Sequence, residues 1–242
     1  MQHWIEHPSE SGRLLLTWRA PETVTTRMRW AVAEVWQTDG EFRFRHLTGG
    51  EFEALNEGRS RQQLKEAGFI AFPPLPDEAQ VYAGEEVLQA LMRRLPPASR
   101  PDFPKYLAHH HIKHPTTMTA VQLLGATGAE LPNDRFGFVD PLEPSATHLD
   151  CLIELHGFRH YAGNVNLNVE QELRLLPEPT NAYDPQAIRL TAGGACVGYV
   201  SRLQARSVLR YLEVRRVTAF LARLNGSPDR PRAFAMLHVR PR

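Results

Sequence analysis

The sequence predicts an α+β chain in which a mixed strand and helix module precedes a small β-barrel of the OB type with one main helix. Three observations predict it. The first is a charge division. Residues 1–150 carry 15 basic and 20 acidic side chains, net −5, whereas residues 151–242 carry 13 arginines, no lysine and 7 acids, net +6. The second is a polar, Pro-rich stretch, Asp140-Pro141-Leu142-Glu143-Pro144-Ser145-Ala146, which reads as a linker and sets the expected modules at 1–147 and 148–242. The third is a run of six short strand-like segments with one clear helix in the last ninety or so residues, the pattern of a small closed barrel.

In the first module, Leu14 to Trp18 reads as a strand. Met28 to Trp36 and Glu41 to Leu47 flank Thr38-Asp39-Gly40 and read as a hairpin. Phe42 and Phe44 alternate with Arg43 and Arg45, so one face is aromatic and the other basic. Gly84 to Leu95 has helical spacing at Val87, Leu88, Leu91 and Met92 and stops at Pro96-Pro97. Ser99-Arg100-Pro101-Asp102 starts another helix through Tyr106 and Leu107. Thr119 to Leu124 reads as a third, ending at Gly125 or Gly128.

In the second module, strands are expected at Leu152–His156, Glu172–Leu176, Ala187–Leu190, Cys196–Val200, Val214–Leu224 and Phe234–Val239. Gly193-Gly194 and Asn225-Gly226 mark turns. Ser201 is a helix N-cap residue type, and Ala205, Val208, Leu209 and Leu212 form an apolar stripe behind it.

Composition bounds the function. The 242 residues are 42% hydrophobic with a net charge of +1, so the chain can bury a core and carries no uniformly basic coat. The 25 arginines against 3 lysines read as coding bias. No run is long enough for a membrane span. The opening Met1-Gln2-His3-Trp4-Ile5-Glu6 lacks a basic, then apolar, pattern, so no secretory signal is expected. Cys151 and Cys196 are far apart, as in a reduced cytoplasmic protein.

The densest chemical signal is Leu176 through Ile188, in which Asn181, Tyr183 and Asp184 sit in a turn stiffened by Pro179 and Pro185. Tyr183 offers a flat stacking surface and Asp184 an acceptor. Upstream, Gly157-Phe158-Arg159-His160-Tyr161 sets a guanidinium among rings. Arg beside aromatic faces suits a nucleotide, with phosphate on the cation and base on the ring. A plain structural turn with a satisfied Asp184 is the alternative reading.

At these residues the chain resembles the HIRAN domain family. Its hallmarks are a Gly-x-Arg-x-Tyr opening, a Glu-Pro-x-Asn-x-Tyr-Asp-x-x-Ala-Ile core and a Val-Gly-Tyr-Val close. Here they read Gly157 to Tyr161, Glu178 to Ile188 and Val197 to Val200. The resemblance spans residues 148–242 and implies an OB-like barrel. In the helicase-like transcription factor family such a domain binds single-stranded DNA at its 3′-hydroxyl end. The resemblance then implies Arg159 as phosphate contact, Tyr183 as stacking ring and Asp184 as acceptor for the terminal hydroxyl. Tyr199 and Phe234 are implied as further pocket walls, and His160 and Tyr161 as further nucleic-acid-binding residues. His160 stands where that relative has a second Tyr, and Ala182 replaces its Pro. The first module resembles the N-terminal half of stand-alone bacterial HIRAN proteins through Phe42-Arg43-Phe44, Phe72-Pro73-Pro74-Leu75-Pro76 and Ser99 to Leu107. More distantly it resembles the N-terminal subdomain of HipA-type kinases.

Other chemistry is not expected. Asp77-Glu78-Ala79-Gln80 spells a helicase-type acidic box, but it follows prolines and the chain has no P-loop. His110 and His114 have metal-pair spacing without acids or thiols beside them, so solvated helix-end histidines are the expectation. No acidic pair suits a hydrolytic metal. The expectation is therefore a cytoplasmic, non-catalytic binding module without cofactor or metal, capturing single-stranded DNA or DNA 3′ ends in repair, replication restart or defence. A helicase, nuclease or polymerase would be met through the first module. Two alternatives stand beside it: a protein-interaction adaptor without DNA binding, and a hydrolase of the wider helicase-associated group.

Overall fold

The computed structural model describes residues 3–21 and 29–242. Met28, the first residue of one expected strand, lies outside them, as do Met1 and Gln2. The strands are β1 (Arg13–Arg19), β2 (Arg29–Thr38), β3 (Glu41–His46), β4 (Val81–Ala83), β5 (Phe136–Val139), β6 (Leu149–Glu154), β7 (Glu172–Pro177), β8 (Ile188–Ala192), β9 (Ala195–Tyr199), β10 (Arg216–Ser227) and β11 (Arg230–Arg240). The helices are α1 (Gly49–Leu55), α2 (Arg61–Glu66), α3 (Glu85–Met92), α4 (Phe103–His109), α5 (Ala120–Thr127) and α6 (Arg202–Val214). No described helix is long and apolar enough to cross a membrane.

The chain divides into two compact units that interleave in sequence. One holds Ser11–Phe103 and Met118–Pro141. The other holds Met1–Glu10, Pro104–Thr117 and Leu142–Arg242. A single cut at 147/148 does not describe this division. In the first unit an antiparallel sheet runs in the order β4-β3-β2-β1-β5. The expected hairpin forms because Asp39 and Gly40 both adopt positive φ, 51° and 82°, the geometry of a turn whose twist matches its strands. Phe42 and Phe44 point into the core. On the other face Arg13 and Arg45 both engage Glu34. Thr119 and Gln122 form a capping box on α5, and Gly128 closes it in the left-handed conformation.

In the second unit, residues from both ends of the chain meet at Asp150. Its amide donates to His7 O at 2.7 Å. Its carboxylate accepts from the Glu6 and His7 amides and from Arg240, and lies 2.6 Å from His238 Nδ1. Burial alone would raise the Asp150 pKa, but these donors outweigh it and hold the pKa at about 2. His238 Nε2 in turn lies 3.0 Å from His3 Nδ1, and His3 stacks on Phe220.

Three expectations are corrected here. His110 is buried, not solvated, as is the neighbouring His111, whereas His114 is exposed as expected. Burial first, and then Arg223 and the flanking histidines, lower the His110 pKa to about 3, so it is neutral throughout the physiological range. The stretch expected as a linker is packed from Leu142 onward. Leu142 belongs to the core, and the carbonyls of Leu142, Glu143 and Ala146 accept bonds from Ser207, Tyr211 and Arg215. The turn expected at Asn225-Gly226 falls three residues later, at Pro228-Asp229, because β10 runs on to Ser227, paired with Arg230. Gly226 lies within the ladder at φ 87°, where a Cβ would collide with the Arg230 carbonyl.

The six-stranded antiparallel sheet of this unit is the expected OB-like barrel, in the order β6-β11-β10-β7-β8-β9. Its two edges meet. His156, two residues past β6, exchanges both backbone bonds with Tyr199 of β9, at 2.8 and 2.9 Å. This one bridged pair covers the edge ladder at the point where the two edges approach. Gly198 permits the approach: its φ is 140°, and a Cβ there would lie 2.9 Å from His156 O and 3.1 Å from Leu155 Cβ. Helix α6 buries Gln204, Ala205, Ser207, Val208 and Tyr211. Tyr211 thus fills the core position that the apolar stripe assigned in part to Leu209 and Leu212, which are only half-buried. Ser201 occupies the N-cap position but makes no side-chain cap bond.

Gly198→Ala is expected to destabilise the chain by about 2–4 kcal/mol, combining backbone strain with the collision at the seam. Gly163→Ala, where a Cβ meets open space, is expected to change the urea midpoint little. Equal midpoints for both variants would contradict the seam argument.

Candidate nucleic-acid interface

The seam between His156 and Tyr199 brings two of the three sequence motifs together. Immediately after it, Gly157 at φ 75° turns the chain into a 3₁₀ turn, Phe158–His160. Phe158 is buried and anchors the turn, leaving Arg159 and His160 exposed and Tyr161 half-buried. Arg159 Nε lies 3.2 Å from His160 Nε2, and among the described residues it has no carboxylate partner. Tyr161 comes back to Tyr199 across the seam, with ring centroids 6.5 Å apart. Burial, the Cys196 thiol and Tyr199 push the Tyr161 phenol up to about 12. Burial first, then the charges of Glu178 and Cys196, also raise that of Tyr199. Both rings therefore remain neutral stacking surfaces and hydrogen-bond donors at physiological pH.

The third motif is a turn closed on itself. The Asn181 side chain organises it: Oδ1 accepts the amides of Tyr183 at 2.9 Å and Asp184 at 3.2 Å, while Nδ2 donates to Glu178 at 2.8 Å. Glu178 is also paired with Arg189 at 3.1 Å. The turn is bolted at its base by Glu178 N to Ala187 O, 2.9 Å, and Ala187 N to Asp184 O, 3.0 Å. This is the local geometry Asn favours through side-chain bonds to amides two and three residues on. The result is a rigid mount for two groups. Tyr183 stands 95% exposed, a large ring held out in water. Asp184 lies at the turn's inner side, its Oδ1 accepting the Gln186 amide at 2.8 Å and its Oδ2 accepting Arg202 Nε at 3.0 Å.

The structure thus joins Tyr161 with Tyr199, and Glu178, Asn181, Asp184 and Arg202 with one another, and the charge of Glu178 is felt at Tyr199. It shows no such contact from Arg159 or His160 to Tyr183 or Asp184. Phe234 lies elsewhere on the barrel wall, on β11 opposite Glu154 of β6. It is 8% exposed and covered by two guanidinium groups, Arg223 at 4.2 Å and Arg232 at 5.1 Å from its ring centre. Arg232 is itself held by both oxygens of Glu154. Sequence reasoning gave no role to Arg202. It stands at the start of α6, where periodicity carries no information. Its only sequence signal is that it directly follows the Val-Gly-Tyr-Val-Ser close. Among the described residues no group of three or more His, Cys, Asp or Glu side chains is arranged to hold a metal ion.

The HIRAN domain family model matches residues 149–238, the six strands and α6 just described. Residues 149–238 are a HIRAN domain. The HIRAN domain is known as a DNA-binding module, so nucleic acid is the class of partner that this match supplies. Two solved structures are similar to the chain. The crystal structure of the HIRAN domain of human HLTF is 17% identical, over 37% of this chain and 74% of that one, with a TM-score of 0.32. A protein from Lactobacillus plantarum is 24% identical, over 38% of this chain and 93% of that one, also with a TM-score of 0.32. No curated protein matches the chain.

Asn181→Ala removes three hydrogen bonds from the turn, two of them from half-exposed or exposed amides, and is expected to cost about 1–2 kcal/mol. Amide exchange at Tyr183 and Asp184 should quicken well beyond that at the β10–β11 ladder. Unchanged exchange at those two amides would show that Asn181 does not hold the turn.

Proposed function

We propose that this HIRAN domain captures the 3′-hydroxyl end of unpaired DNA. In this reading Tyr183 stacks on the terminal base, and Asp184 accepts the hydrogen bond of the terminal hydroxyl. Arg159 and His160 meet phosphate, while Tyr161 and Tyr199 wall the binding surface; Phe234, covered by Arg223 and Arg232, has no part in it. The observation that carries it is the mount itself: a fully presented aromatic ring next to a carboxylate whose orientation is fixed by a neighbouring amide and a guanidinium. Presenting a tyrosine ring to water on a fixed turn forgoes its burial, a cost that a stacking partner offsets.

The chemistry of the pair supports an end over an internal phosphate. A carboxylate repels phosphate and accepts from a hydroxyl, so a strand terminus bearing a free hydroxyl is the group it favours. Arg202, held against Asp184, balances that charge, so the carboxylate does not repel the last phosphodiester as an unpaired one would. We assign the domain a binding role without catalysis, in the cytoplasm, serving repair, replication or defence. The first unit would then carry the end-bound chain to a helicase, nuclease or polymerase.

Fluorescence anisotropy with the full chain distinguishes the parts of this reading. An oligonucleotide ending in 3′-hydroxyl is expected to bind more tightly than one ending in 3′-phosphate or than a closed circle. Tyr183→Ala should lose about 1–3 kcal/mol, roughly 5- to 150-fold. Asp184→Ala should narrow the preference for hydroxyl over phosphate. Equal binding to all three DNAs would overturn end recognition.

A further inference from the structure

The outer face of α6 begins at the Asp184–Arg202 pair and runs beyond it. Gln204, Ala205, Ser207, Val208 and Tyr211 turn inward. Arg202, Arg206 and Arg210 lie on the opposite side, four residues apart, so they stand roughly above one another at steps of about 6 Å along the axis. Arg202 is the residue bound to Asp184. Arg206 is exposed and, among the described residues, makes no ion pair. Glu213 is the single acid of this helix. It pairs with Arg210 at 3.0 Å, but both side chains are more than half exposed, so water and salt screen the pair and a stronger anion can displace it. The face therefore carries a surplus of positive charge in a line, and that line leads away from Asp184.

We infer that this arginine face is the track of the strand leading into the end pocket. It takes the phosphodiester backbone of single-stranded DNA in the order Arg202, Arg206, Arg210 from the 3′ end towards the 5′ side. The inference rests on the reading of Asp184 as the end acceptor, and it adds a direction and a length to that reading. A stacked strand advances about 3.4 Å per nucleotide, so the run of about 12 Å from Arg202 to Arg210 accompanies three to four nucleotides. An acidic protein surface would also be attracted by a basic face. The continuity with the pocket and the regular step along one line favour a polymer of evenly spaced charges.

The experiment is a salt titration of the full chain by anisotropy, with 3′-hydroxyl oligonucleotides two to eight nucleotides long. The wild type is compared with Arg206→Ala, and with Arg93→Ala, an exposed arginine of the other unit, as a charge-matched control. Affinity should rise with length to about four or five nucleotides, the terminal one plus those along the track, and then level off. With the longer oligonucleotides, Arg206→Ala should reduce the slope of log affinity against log salt by about 0.7, or about fivefold in affinity at 0.1 M salt. Arg93→Ala should leave the slope unchanged, and the hydroxyl-to-phosphate preference of Arg206→Ala should remain that of the wild type. A slope in Arg206→Ala equal to wild type overturns the track while leaving end recognition standing. A reduced slope in a protein that shows no end preference at all upholds the track and overturns the end reading. Weakened binding of acidic polypeptide but not of DNA in Arg206→Ala overturns the track in favour of a protein partner.

Discussion

The seam at which β9 meets the end of β6 is the constraint on which the rest of the second unit depends. Two backbone bonds between His156 and Tyr199 join the edges of a six-stranded sheet. They form because Gly198 has no side chain to hold the strands apart. The joint has three local consequences. It starts the 3₁₀ turn carrying Arg159 and His160 on one side. It fixes Tyr199 opposite Tyr161 on the other. It also aims the chain into α6, so that Arg202 reaches Asp184. A single glycine position thus links barrel closure to the placement of five of the candidate contact residues, Arg159, His160, Tyr161, Tyr199 and Arg202.

Electrostatics then decides what this surface can accept. Seven carboxylates serve thirteen arginines in residues 151–242, and the ones near the interface are occupied. Glu178 holds Arg189, Asp184 holds Arg202 and Glu154 holds Arg232. Such pairs at partly exposed positions contribute little net stability. Their effect is geometric: they orient guanidinium groups and leave Arg159 and Arg206 without acidic partners among the described residues. A ligand with spaced negative charge and a flat ring finds complements to both features here.

Much of this was legible in the sequence, because the signals were local. The Asp39-Gly40 hairpin, the capping box of α5 and the six strands of the barrel follow from turn chemistry and alternation. The Asn181 turn is likewise written in its own residues, since the bonds of the Asn181 side chain and of the turn's base reach no further than Ala187. Long-range contacts were not legible. Burial of His110 depends on packing that no helical pattern encodes, and the role of Leu142 depends on donors 65 or more residues away on α6. The β10–β11 turn was misplaced because Asn-Gly is a strong turn signal. Here the glycine instead serves a close cross-strand approach to Arg230. Arg202 carried no local signal, because its partner lies 18 residues earlier and is brought near by the barrel.

The most direct test of the account is to map where DNA touches the full chain, by following backbone amide resonances while a short single strand with a free 3′-hydroxyl is added. The account predicts that the largest changes fall on residues 157–161, 181–184 and 199–202, with Gly193-Gly194 at the far turn of β8 and β9 unmoved. Changes confined to other surfaces, with those three segments silent at saturation, would contradict it.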